Sequence, residues 1–82
     1  MHKTQVKKVT RAYIVNDLLR SSDGAISDDQ SLFQEELLGL EEFIELTIFI
    51  DEQFGIQIPG RLYGSTEFDT IRAISEFIWI MN

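Results

Sequence analysis

Apolar residues recur along the chain at intervals of three and four, between stretches rich in Gly, Ser, Asp or Pro, and this spacing predicts helices rather than strands. In residues 3–20, KTQVKKVTRAYIVNDLLR, the positions Val6, Val9, Tyr13, Ile14 and Leu18 fall on one side and Lys7, Lys8 and Arg11 on the other. Ser21-Ser22-Asp23-Gly24 then reads as a stop and turn. A second helix is predicted from about Leu40 to Phe54, with Phe43, Leu46, Thr47, Ile50 and Phe54 as its core stripe. Ile44 and Ile48 form a second apolar row beside that stripe. Gly55 suits the C-cap, where a left-handed backbone is least costly for glycine, and Pro59 bars continuation. A last helix runs to residue 81 with Asp69 or Thr70 as N-cap. Its inward face is Ile71, Ile74, Phe77, Ile78 and Met81, and Trp79 and Ile80 leave its end apolar enough to pack on the first helix.

Two segments fit no long helix. Residues 25–36, AISDDQSLFQEE, make a loop that is long for so small a domain. It is expected to be pinned by Ile26, Leu32 and Phe33, with a short helical turn near residues 32–35. Residues 60–68 predict a short turn or helix near 61–63. The expected fold class is all-α: one domain, residues 1–82, built as an antiparallel bundle of three main helices plus a short third helix in chain order.

Composition narrows the chemistry. The chain has 82 residues, 44% of them apolar, and no cysteine, so neither disulfides nor a thiolate metal site helps it fold. Each well-buried Leu, Ile or Phe contributes roughly 1.5–3 kcal/mol, so a dozen can offset much of the chain entropy. Charge is unevenly distributed: residues 1–20, 21–58 and 59–82 carry balances of +4, −10 and −1, for a net −7. That balance disfavours nucleic acid and makes a basic surface the natural complement of the middle segment; alternatively the acids simply keep a small domain soluble. No apolar run approaches the ~18 residues of a membrane span. MHKTQVKK is basic without the apolar run of a secretory signal, so a cytoplasmic location is expected.

Catalytic machinery is sparse, and no enzyme activity is expected. The only histidine is His2, near a terminus, and there is no glycine-rich phosphate loop. Asp28-Asp29, Glu35-Glu36 and Glu41-Glu42 invite an acid–base or cation reading. However, none has the oxygen-ligand spacing of a calcium loop, and neighbours on a helix diverge by about 100°. No catalytic residue, metal or cofactor is assigned.

The run SLFQEELLGLEEFIEL (from Ser31 to Leu46), followed by FIDEQFGIQIP and STEFDTIRAISEFI, resembles the acyl carrier protein family, from near Ile26 to the C-terminus. It is most similar to the free-standing carriers of polyketide, peptide or aminoacyl pathways. The resemblance implies an acyl-carrier-like bundle whose second helix opens with Asp-Ser-Leu, the serine bearing 4′-phosphopantetheine. Gly39, Leu40 and Glu41 stand at those three positions. An alkyl side chain has no oxygen to esterify, so this attachment motif is degenerate. Two extra residues fall around Leu62-Tyr63, and Phe43 and Phe49 fill space a tethered chain would use.

What the resemblance leaves is an acidic recognition helix. Glu41, Glu42, Glu45 and Glu52, with Leu40 and Ile48 as apolar contacts, are expected to dock on the basic surface of a biosynthetic synthase, transferase or ligase. Two alternatives stay open. One is a working carrier for fatty acid, polyketide or peptide biosynthesis, modified at another residue or altered at position 40. The other is a helical protein of a different class, such as a subunit-assembly factor, whose bundle pattern is convergent.

Overall fold

The computed structural model describes residues 2–20 and 26–82; the turn signal at residues 21–24 lies outside them. Among the described residues the secondary structure is entirely helical. Helix α1 spans Lys3–Tyr13, α2 spans Leu40–Phe54 and α3 spans Ile71–Met81. Helices α1 and α3 pack against each other, and α2 meets the turn that follows α1.

The first helix does not continue regularly to residue 20. After Tyr13 the chain widens into a π-helical turn, Ile14–Leu18, closed by the Leu19 amide donating to the Ile14 carbonyl at 2.8 Å. The buried row is therefore Val6, Thr10, Ile14 and Leu18, joined by Val15, while Val9 and Tyr13 are only half-buried. Thr10 sits in the middle of that row, its hydroxyl fully buried with no hydrogen-bond partner among the described residues.

Helix α2 has the expected bounds. Phe43, Leu46 and Ile50 are buried, with Thr47 and Phe54 half-buried beside them. Gly55 ends it at φ 69°, its amide donating to the Asp51 carbonyl at 2.8 Å. Thr70 caps α3, its Oγ1 accepting from the Ala73 amide at 3.0 Å. Ile71, Ile74 and Ile78 face the core, but Met81 is 58% exposed and Trp79 and Ile80 are exposed as well. The last turn of α3 therefore runs past the core instead of packing into it. The short turn expected near 61–63 is the 3-10 turn Gly60–Leu62, and a second one, Thr66–Phe68, follows it; they bury Leu62 and Phe68.

The long loop is held as its anchors suggest: Leu32 and Phe33 are buried and Ile26 half-buried. Residues 28–29 and 33–36 form turns. Asp28 receives Lys7 Nζ and Arg11 Nη1, both at 2.9 Å, while Asp29 receives Arg72 Nε at 2.7 Å. The adjacent carboxylates thus tie the loop to α1 and to α3 separately. Beneath the start of α2, the Phe43 ring packs edge-on against Phe33 and Phe68, both at 5.7 Å between centroids, and lies 5.3 Å from Tyr63.

Candidate functional site

Helix α2 buries one side and leaves the other side bare. With about 3.6 residues per turn, positions four apart form a slowly drifting row. Leu40, Ile44 and Ile48 make such a row, and Leu37 extends it upstream. These four are 49–54% exposed. Large aliphatic side chains are individually common at surfaces, but a contiguous row of them along one helix is not, which makes this row the candidate contact face.

Carboxylates run beside the row. Glu41, Glu45 and Glu52 are exposed on the same side of the helix, and Asp51 is exposed on the other flank of the row. Among the described residues, none of these four takes part in a salt bridge, whereas Asp28, Asp29 and Glu76 each pair with a cation. The field of the α2 face is felt at α1. Burial first, then the negative charges of Glu45, Asp17 and Glu52, hold the Tyr13 phenol above its ordinary pKa. The Tyr13 ring stacks on Phe49 at 3.9 Å, and its hydroxyl reaches the Glu45 carbonyl at 3.4 Å. Phe49 is thus half-buried against α1.

The sequence-predicted site residues are brought together with one exception. Leu40 is the first residue of α2 and points outward; Glu41, Glu45, Ile48 and Glu52 share its exposed side. Glu42 is diverted. Gly39 has no side chain to cap the helix, and Glu42 Oε1 accepts the Gly39 amide proton at 2.8 Å, which leaves Glu42 half-buried and engaged. Ile44 and Leu37, which the expected contact set leaves out, are exposed in the same row. The four-residue spacing of Ile44 from Leu40 and Ile48 carried that information. A shallow cleft of about 300 Å³, lined by Thr47, Ile48, Asp51, Gln57 and Ile58, adjoins the lower end of the row.

The described serines have other work. Ser31 Oγ donates to Asp69 Oδ2 and accepts from the Glu35 amide; Ser27 and Ser65 accept from the amides two residues on; Ser75 is buried and donates to the Ile71 carbonyl. Among the described residues no group of His, Cys, Asp or Glu side chains is arranged to hold a metal ion, and no helix is long and apolar enough to cross a membrane. What this face can do chemically is associate: it offers aliphatic area and unpaired negative charge. No protein-family model matches the chain, and no curated protein matches it in sequence.

Proposed function

We propose that the chain is an acyl-carrier-protein-like module that carries no phosphopantetheine and acts by docking α2 on a biosynthetic enzyme. The observation that supports this most is the row Leu40, Ile44 and Ile48 at the start and middle of α2, flanked by the unpaired carboxylates Glu41, Glu45 and Glu52. The partner is an enzyme whose surface sets Lys or Arg around an apolar depression. Charge complementarity argues for it, and the same charges argue against self-association through this face. Two copies related by a twofold axis would set the same acidic face of each against the other, bringing like charges together.

The loss of cargo follows from chemistry at position 40. Leu40 supplies no nucleophilic oxygen, and no described serine stands at the start of α2. Phe33, Phe43, Phe68 and Tyr63 fill the volume beneath that helix end.

The test has two arms. The 82-residue chain is used as bait against a lysate, with a Glu41→Lys/Glu45→Lys double variant as control, and the captured enzyme is titrated into labelled protein. Amide shifts confined to residues 37–52, and loss of capture by the double variant, are expected. Shifts mapping elsewhere reject the reading. Separately, incubation with a broad-range phosphopantetheinyl transferase and coenzyme A should leave the intact mass unchanged; a gain of one phosphopantetheine would make the protein a working carrier.

A further inference from the structure

Residues 31–38 lead into α2 with no regular secondary structure, yet Leu32, Phe33 and Leu38 are buried. Buried backbone must find partners for its amides, and here the partners converge on one residue. Asp69 lies immediately before the N-cap of α3 and is 5% exposed. Its Oδ1 accepts from the amides of Phe33 at 2.8 Å and Gln34 at 2.9 Å, and its Oδ2 accepts from Ser31 Oγ at 2.5 Å. Its own carbonyl accepts from the Leu32 amide at 2.8 Å. The Leu32 carbonyl in turn accepts from the Leu38 amide at 2.8 Å, closing the loop one residue before Gly39.

Two further features show how tightly this loop is determined. Among the described residues Asp69 forms no salt bridge, so its buried oxygens are satisfied by loop donors rather than by a cation. Glu36 adopts φ 61°, a left-handed backbone that costs a non-glycine residue energy and persists only where the flanking structure imposes it. Leu37 follows directly.

We propose that Asp69 is a positioning residue for the α2 face. By gathering Ser31, Phe33 and Gln34 just ahead of the N-cap of α3, it sets where Leu37 and Leu40 emerge. The leading half of the aliphatic row is thereby fixed from a residue that is remote in sequence and has no contact with a partner. This rests on the docking reading for why the face matters; the coupling of Asp69 to Leu37 and Leu40 is independent of it.

The chemistry separates two substitutions. In Asp69→Asn, Oδ1 still accepts both amides and Nδ2 donates to Ser31 Oγ, which has a free lone pair for it. Asp69→Leu has similar bulk and offers no acceptor. In the full chain, Asp69→Leu should raise amide exchange at Phe33 and Gln34 by on the order of tenfold or more. It should also shift the resonances of Leu37, Leu38 and Leu40, while Val6, Ile74 and Ile78 keep theirs. Asp69→Asn should return these signals most of the way to wild type. If Asp69→Leu does not fold, Ser31→Ala removes the hydroxyl's bonds to Asp69 Oδ2 and the Glu35 amide, leaves the Phe33 and Gln34 bonds in place, and should produce a smaller change at the same residues. The proposal is overturned if residues 37–40 stay unmoved in whichever variant folds. It is equally overturned if exchange rises evenly through α1 and α3 without rescue by Asn, the mark of a purely global loss of stability. Local shifts with no partner found would sustain the positioning role and count against docking.

Discussion

Asp28 shows how a single side chain organises a segment that has no helix of its own. Its carboxylate sits between Lys7 and Arg11, 2.9 Å from each, and is 23% exposed. The hydrogen bond from Lys7 above all, then the positive charges of Lys7 and Arg11, hold it below the ordinary aspartate pKa, against the opposing effect of burial. A depressed folded-state pKa stabilises the fold above the unfolded value and loses that contribution as pH falls through the folded one. Asp28→Asn should therefore cost on the order of 1 kcal/mol at neutral pH. The gap between variant and wild type should narrow as the pH drops below about 4, the unperturbed carboxylate range. Urea midpoints at a series of pH values test this, and a gap that stays constant into acid would mean that the charge of Asp28 contributes nothing.

At the scale of elements, what the sequence disclosed and what it hid divide along the line between local and long-range causes. The bounds of α2 were readable because a 3.6-residue stripe is punctuated by Gly55 and Pro59. The burial of Phe43, Leu46 and Ile50 follows from the same stripe. The π-helical turn after Tyr13 was not readable, since its apolar residues fit an ordinary helix equally well. Val15 lies within that turn and is buried. Met81 was misjudged because periodicity predicts a side of a helix and not where the neighbouring helix ends. In the candidate site, periodicity alone does not show that Glu42 turns back to cap Gly39, and it shows Asp69 only as a possible cap because its loop partners lie 35–38 residues away. Gly55 offers a test of the local part. At φ 69° any side chain is strained even though open space surrounds it, so Gly55→Ala should cost roughly 1 kcal/mol. Gly60 also has open space and lacks the positive φ, so Gly60→Ala should stay within about 0.5 kcal/mol of wild type. Equal urea midpoints for the two variants would remove the left-handed cap from the account of why α2 stops.

For the molecule as a whole, the net charge of −7 matters less than which acids are already paired. Asp28, Asp29 and Glu76 are engaged by Lys7, Arg11, Arg72 and Lys3, so the α1–α3 side largely cancels its own field. The exposed acids of α2 are not cancelled, and their field extends about 10 Å into solvent at 0.1 M salt. Exposed ion pairs contribute only ~0–1 kcal/mol each once formed, so in the proposed docking these glutamates would act chiefly on encounter, and residence would depend on covering Leu40, Ile44 and Ile48. The two contributions should separate kinetically with the enzyme captured by this chain. Raising salt from about 0.05 to 0.5 M should slow association by roughly tenfold or more while dissociation changes by less than about twofold. Glu45→Lys should reproduce the salt effect at low ionic strength. Ile48→Ala should leave association nearly unchanged and speed dissociation by about tenfold, as expected for lost aliphatic burial. Stopped-flow or surface-plasmon traces read both rates directly. If salt acted on dissociation alone, or if Ile48→Ala slowed association instead, the division between an electrostatic approach and an aliphatic hold would be wrong, and α2 would have to bind by some other means.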